Sequence, residues 1–359
     1  MAFDIICHRL HNQLLTQTNF AQAREVVEWF GAVQAQDYPG AKWALGQRLK
    51  NATDADIEQA FNEGKILRTH VMRPTWHFVT PQDIRWMLTL TAPRVRVALG
   101  HMDRQLELDN AIFKKSNAVL ARALKGNKQL TRSELAPILR KGGVPVEGLR
   151  LGHLLIHAEL DAVICSGAKK GKQFTYALLD ERAPGAKTLG REEALVELTR
   201  RYFRSHSPAT IKDYVWWSGL TTADARVGID SIRSELEQKV LNDQVYWFVA
   251  SRPSASSSPT AYLLPNYDEY TVGYRDRSAI FDVSFIGKLS AFRESILTQT
   301  ILIEGEIAGT WKRMLKKNEV VVILTPFTKL KKAQNQAVIA AAKAYGKFLG
   351  LPVTLESVD

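Results

Sequence analysis

Three times along this chain an apolar helical rhythm gives way to two short β-branched or aromatic runs, and few folds satisfy that order. In the first instance Ala21 to Val33 carries Val26, Val27, Phe30 and Val33 at helical spacing, with Asn19 as a candidate N-cap. Asp54 to Glu63 sets Ile57, Ala60 and Phe61 on one face, with Asp54 as its candidate cap. Thr80-Pro81 opens a further helix through Ile84, Met87 and Leu88, since proline is tolerated in a first turn. Between the last two lies Ile66 to Val79, β-branched and aromatic, broken once at Arg73-Pro74. That composition predicts two short strands meeting at the proline.

The order then repeats. Thr131-Arg132-Ser133-Glu134 is a capping-box pattern ahead of one helix, and Gly152 to Leu160 forms the next. Strands at Ala162 to Cys165 and Phe174 to Leu178 are joined by Gly167-Ala168-Lys169-Lys170-Gly171-Lys172, a basic wing. The third instance has a helix from Glu192 to Phe203, a second opened by Ser207-Pro208-Ala209-Thr210, a third after Gly219-Leu220-Thr221-Thr222, and a strand at Val245 to Ala250. Helix, turn, helix, hairpin is the winged-helix order. Ser251 to Pro259 reads as a Ser/Pro-rich surface loop. Strands at Ala261 to Leu264 and Thr300 to Ile303 follow, then a turn at Glu304-Gly305-Glu306 into Ile307 to Trp311, a strand at Val320 to Leu324 and a closing helix from Lys331 to Leu349. The expected class is α+β. Three winged-helix modules span 1–115, 116–185 and 186–255, and a β-hairpin and helical region spans 256–359.

Charge narrows the partner. Lys plus Arg number 48 against 37 Asp plus Glu, a net charge of +11 over 359 residues, which favours a polyanion such as DNA. Two cysteines, Cys7 and Cys165, make neither a disulfide framework nor a four-ligand zinc site, so a reducing cytoplasm is expected. Met1 to His8 has no basic stretch ahead of an apolar run, and no apolar run reaches membrane-spanning length, so neither secretion nor a membrane span is expected. It lacks a Walker loop, a Gly-x-Gly-x-x-Gly and a His-Glu-x-x-His, and its eight histidines have no metal-ligand spacing. Neither metal nor cofactor is expected.

One short stretch stands out as chemistry. Val33-Gln34-Ala35-Gln36-Asp37-Tyr38-Pro39 sets two amides and a carboxylate between an apolar helix and a Pro-Gly break. In an extended backbone residues two apart share a face, and the break favours a loop here. Gln34 and Gln36 then either hold a water together, or cap the helix end or sit in solvent.

These residues sit within a wider set. Gly31-Ala32-Val33-Gln34-Ala35-Gln36, Arg68-Thr69-His70-Val71-Met72-Arg73-Pro74-Thr75-Trp76-His77, and Arg201 to Thr210 come in that order, followed by Leu263 to Tyr270, Gly273-Tyr274-Arg275-Asp276-Arg277 and Gly309-Thr310-Trp311-Lys312-Arg313. By these segments the chain resembles the AlkZ-like winged-helix DNA glycosylases along nearly its whole length. The resemblance implies tandem winged helices around a concave basic DNA channel. It also implies that the Gln-x-Gln pair, Gln34 and Gln36, is catalytic, and that N-alkylated purines, including bulky adducts and some interstrand crosslinks, are the substrates. A sister branch carries Gln-x-Asp. This chain departs from the family pattern at Pro74 and Ser207, where glycine is frequent.

The chemistry suits those residues. An N7-alkylated guanine is already cationic and leaves without a strong acid, so the protein must supply position and polarity to a water arriving at C1′. Two amide oxygens can orient that water beside an oxocarbenium-like sugar. Asp37 either adds a full charge or caps a neighbouring element. Arg73, Thr75 and His77 can face the same groove as the pair, Thr75 and His77 alternatively only holding the hairpin to its helix. No lysine need act, so a monofunctional glycosylase is expected, monomeric and without an obligate protein partner, on double-stranded DNA bearing alkylated bases near the nucleoid. The DNA-contact candidates are Lys169, Lys170 and Lys172 on the wing and Lys312, Arg313, Lys316 and Lys317 after the later strand, each cluster alternatively a solvated charge run. Trp216 and Trp217 are expected in the core. The rival reading is a non-catalytic winged-helix transcriptional regulator.

Overall fold

The computed structural model describes residues 4–250, 259–291 and 295–357. Helices Ile5–Asn12, Ala23–Phe30, Tyr38–Gly46 and Asp54–Asn62 lead into a three-stranded sheet. Its central strand, Trp76–Val79, pairs antiparallel with Leu67–His70 on one side and with the two-residue strand Val33–Gln34 on the other. The long helix Ile84–Gln105 follows.

The next stretch repeats the scheme. Helices Asn110–Leu124, Arg132–Lys141 and Arg150–Leu160 accompany a sheet ordered Leu130–Thr131, Thr175–Leu178, Ile164–Ser166. Helices Arg191–His206, Ile211–Ser218 and Thr222–Ser231 precede the antiparallel hairpin Glu237–Leu241 with Gln244–Phe248. The C-terminal part is a five-stranded sheet, ordered Val353–Ser357, Val320–Pro326, Glu306–Leu315, Thr300–Ile303, Ala261–Leu264, with helix Lys332–Leu349 packed on it. The class is α+β, as expected.

Several local expectations change. The helix from Ala23 is capped by Gln22 in a reciprocal box with Glu25, not by Asn19. Thr53 and Asp56 box the helix expected to be capped by Asp54, and the Asp54 carboxylate instead holds Lys42 Nζ at 2.7 Å. Thr131 and Glu134 do form the expected box. The Pro-Gly pair after Gln36 starts a helix instead of breaking one: Pro39 sits in the first turn of Tyr38–Gly46. Four strands went unread. Val33, expected at the end of the preceding helix, forms a two-residue strand with Gln34, and Leu130–Thr131 is another. Glu237–Leu241 is mostly polar and exposed, and Val353–Ser357 joins its sheet in parallel after a helix that stops at left-handed Gly350. The loop expected from Ser251 to Pro259 lies outside the described residues up to position 258.

The strand Val33–Gln34 and the residue before it sit where two cores meet. Ala32 belongs to a cluster with Leu67, Met72, Trp86, Tyr202, Trp217 and Tyr274. Its neighbour Val33 belongs to another, with Phe30, Phe78, Leu263, Trp311 and Tyr345. Alternation along a strand points successive side chains to opposite faces, so this short strand is gripped from both. Each fully buried large apolar side chain contributes about 1.5–3 kcal/mol. A third cluster, from Leu108 to Tyr176, stays within the second stretch.

Candidate active site

Gln34 pairs with His77 across the strand ladder, and Ala35 continues it by donating its N–H to the Trp76 carbonyl at 2.7 Å. Gln34 is buried and Gln36 is exposed. Arg73 Nη2 donates to Gln34 Oε1 at 3.0 Å, and the Trp76 backbone N–H donates to Gln36 Oε1 at 3.2 Å. Guanidinium and backbone N–H groups only donate, so both contacts are made by the amide oxygens, and the orientation of each amide follows. Each oxygen keeps a second lone pair.

Arg73 is itself held. It leaves the tip of a tight hairpin in which Arg73 N donates to Val71 O and Thr75 N to Arg73 O, after Met72 at φ 61°. Its Nη1 donates to the Trp216 carbonyl at 3.3 Å. That approach needs Gly219: its φ is +69°, and a Cβ there would lie 2.2 Å from the Met72 carbonyl oxygen.

Beneath the strand lies a buried carboxylate. Glu269 Oε1 accepts the Gln34 backbone N–H at 2.7 Å, and Oε2 accepts Trp217 Nε1 at 3.0 Å and lies 3.2 Å from His206 Nε2. Burial raises the Glu269 carboxyl, but the hydrogen bonds from His206 and Gln34 and the Arg73 charge outweigh it and hold it below its ordinary range. Burial lowers His206 against the pull of Glu269, so a neutral imidazole faces an ionised carboxylate. Next door, Asp268 forms a two-pronged buried pair with Arg48, at 2.9 and 2.7 Å, and Tyr270 donates its hydroxyl to Gly305 O.

The other candidates separate. Asp37 caps the following helix through Gly40 N at 3.3 Å, and its second oxygen accepts Asn266 Nδ2 at 2.9 Å. His77 is buried, donates from Nδ1 to the Thr75 carbonyl and leaves Nε2 without a partner among the described residues; Thr75 Oγ1 is likewise unpartnered. Burial, then the Arg73 charge, takes His77 down to about 3, so its ring is neutral near pH 7. Arg68, buried, ties the strand from the other side by donating Nε to Ala35 O at 3.0 Å.

Among the basic clusters, Lys169 turns inward to Glu58 at 2.9 Å and Lys170 pairs with Glu134 at 2.6 Å, while Lys172 is exposed. Lys312 and Arg313 lie within strand Glu306–Leu315, not after it, and Arg313 donates to the Tyr345 hydroxyl. Lys316 pairs with Glu319 at 2.8 Å, and Lys317 is exposed. Of the adjacent tryptophans only Trp217 is core; Trp216 is 42% exposed, with the Arg277 guanidinium over its ring. No metal-binding cluster occurs among the described residues, and no helix there is long and apolar enough to cross a membrane.

Arg68, His206 and Glu269 fall within the segments that carry the family resemblance, and Trp217 was expected in the core, but none of the four was singled out as a site residue.

The comparisons with known proteins agree with the expected family. A curated relative, the interstrand DNA cross-link repair glycosylase of Streptomyces sahachiroi, is 22% identical over 98% of this chain and 98% of its own. The solved structure of Streptomyces sahachiroi DNA glycosylase AlkZ superposes with a TM-score of 0.78 at 20% identity, covering 99% of this chain and all of that one, so the two share a fold. The family model "DNA glycosylase AlkZ-like" matches residues 27–348, a span that holds the Gln pair and the residues around it and favours an enzyme over a regulator. The chain belongs to the AlkZ-like DNA glycosylase family.

Proposed function

We propose that this protein removes N-alkylated purines from double-stranded DNA by hydrolysing the N-glycosidic bond, with Gln34 and Gln36 as the catalytic residues. The observation that carries this reading is the clamped pair of amides, Gln34 on the short strand and Gln36 just past its end, each oxygen oriented by a donor that cannot accept. A water shared between the free lone pairs is oriented toward C1′ of the damaged nucleotide. The amide oxygens also lay partial negative charge beside the oxocarbenium-like sugar. The cationic base departs as a neutral purine, so no general acid is needed. Glu269 is too buried to meet the sugar; it anchors the backbone of Gln34 and offsets the Arg73 charge. Asp37, engaged at both oxygens, positions the helix after the pair.

The tandem helix-and-hairpin units read as three winged-helix modules that line a DNA channel, with Lys172 and the cluster from Lys312 to Lys317 on the phosphates. The Streptomyces relative is named for interstrand crosslinks. Such lesions, beside simple N-alkylpurines, fit a site whose catalytic amide Gln36 is exposed. The enzyme acts as a monomer at the nucleoid.

The test is base release from a duplex carrying one N7-alkylguanine, comparing wild type with Gln34→Ala and Gln36→Ala. Release by wild type, with a loss of at least about 100-fold in each variant at matched DNA affinity, supports the reading. Tight DNA binding without release rejects it for that lesion.

A further inference from the structure

The sheet that carries Gln34 has two outer edges, and a buried edge N–H needs an acceptor from elsewhere in the chain. At the Gln34 edge that acceptor is Glu269. At the other edge, strand Leu67–His70 turns the N–H groups of Arg68 and His70 outward, and the second stretch supplies both acceptors. Ser166 Oγ accepts from Arg68 N at 2.8 Å, and Glu159 Oε2 accepts from His70 N at 3.0 Å.

Glu159 does more than close the edge. It is fully buried on helix Arg150–Leu160, and the same oxygen lies 2.7 Å from His70 Nδ1 and accepts the Thr69 hydroxyl at 3.2 Å. Its Oε1 has no partner among the described residues. The hydrogen bonds of this buried carboxylate therefore converge on two adjacent residues of one strand.

Those two residues lie in register with the Gln pair. Thr69 pairs with His77, which pairs with Gln34, and His70 pairs with Trp76. Trp76 directs its N–H to Gln36 Oε1 and its carbonyl to Ala35 N, while His70 directs its N–H to Glu159. His70 and Trp76 thus form the non-hydrogen-bonded kind of antiparallel pair, in which side chains make the contact. Here the contact is between the two rings, whose centres are 4.0 Å apart. Gln36 is exposed, and the Trp76 N–H is what orients its amide oxygen. The place of the Trp76 peptide depends on the His70 ring, and the place of that ring depends on Glu159.

We infer that Glu159 is a positioning residue for base release: through the His70 ring and the Trp76 peptide it fixes the aim of Gln36. This rests on the reading of Gln36 as one of the two residues that orient the attacking water. The second helix-and-hairpin stretch thereby acts on the site through the hairpin of the first.

The test is single-turnover release from a duplex carrying one N7-alkylguanine, at saturating enzyme, with DNA affinity measured beside it. In Glu159→Ala the rate is expected to fall about tenfold, with affinity changed less than about twofold. Glu159→Gln keeps an oxygen for the His70 N–H and is expected to stay within about threefold of wild type. On a Gln36→Ala background, Glu159→Ala is expected to lower the residual rate by less than about twofold, because the group it aims is gone. His70→Ala removes the ring and leaves the carboxylate its other donors; it is expected to show the same fall and the same dependence on Gln36, and it serves where Glu159→Ala does not fold. A merely structural role gives the same factor on both backgrounds. That result, or an unchanged rate in the single variants, overturns the inference. If wild type itself releases no base, the glycosylase reading falls, and residue-resolved hydrogen exchange judges the anchor. The Ala35 amide, bonded to the Trp76 carbonyl, is then expected to exchange about tenfold faster in His70→Ala than in wild type, and unchanged exchange overturns the inference.

Discussion

Arg73 Nη2 lies 3.0 Å from Gln34 Oε1, while its Nη1 reaches the Trp216 carbonyl at 3.3 Å, so one guanidinium spans from the Gln34 amide to a helix more than 140 positions away. Gln34 is aimed by a residue that is in turn aimed by the third helix-and-hairpin stretch. In Arg73→Ala the amide is free to rotate, and single-turnover base release is expected to fall about 100-fold, with DNA affinity changed less than threefold. Arg73→Lys is not expected to rescue, because a point-like ammonium cannot serve both oxygens. Quench-flow release assays beside equilibrium binding read the two quantities separately.

Gly219 is the hinge of that contact. In Gly219→Ala the left-handed backbone is strained, and the new Cβ meets the Met72 carbonyl. The expected outcome is a loss of about 2–4 kcal/mol in urea unfolding together with slower base release. Unchanged stability would show that the hairpin tip moves aside freely.

Glu269→Gln removes the buried charge but keeps the shape. Three donors, Gln34 N–H, Trp217 Nε1–H and the His206 ring, converge on that carboxylate. The variant is expected to lose about 2–4 kcal/mol, measured by chemical denaturation at pH 7.5. The folded-state value of Glu269 lies below the unfolded one, so its contribution is present above the ordinary carboxylate range and is lost as the pH falls through the folded value. The gap between wild type and variant should therefore narrow only at acid pH.

His77 supplies a second pH dependence, in a higher window. Its folded-state value, about 3, is depressed from 6.5. Its stabilising difference is intact above 6.5 and erodes as the pH drops from there towards 3, because the unfolded chain takes up the proton first. Relative to His77→Phe, wild type is expected to lose about 1.4 kcal/mol per pH unit between pH 6 and 4. Base release between pH 7 and 9 should be indifferent to this group.

Lys317 is exposed at the turn after Glu306–Leu315. If that turn rides on the phosphates, Lys317→Ala lowers the salt slope by about one and weakens alkylated and undamaged duplexes alike. A variant that discriminates between the two duplexes would point to lesion recognition instead.

Local pattern was enough to read most of the elements of this protein. The helical spacing of Val26, Val27 and Phe30, the Thr131–Glu134 box and the β-branched runs on either side of Pro74 each act over a few residues, and each appears where expected. The Gln-x-Gln pair was visible for the same reason. Where local rules conflict, packing chose: Pro39-Gly40 looks like a break, yet proline suits a first turn, and Gly40 leaves room for the capping Asp37, whose Oδ2, the oxygen bonded to Asn266, would lie 2.6 Å from a Cβ there.

What makes the pair into a site was decided by tertiary structure alone. Arg73 arrives across a hairpin, Glu269 from 235 positions away, and Trp217 and His206 from a third stretch. No short-range propensity encodes these meetings. They follow from two hydrophobic cores that close on either side of Val33 and Ala32 and bring the polar partners together there. The sequence alone determined which side chains were available for the chemistry. Burial determined which of them are aimed, because a buried charge must find its partners and those partners are supplied by the fold.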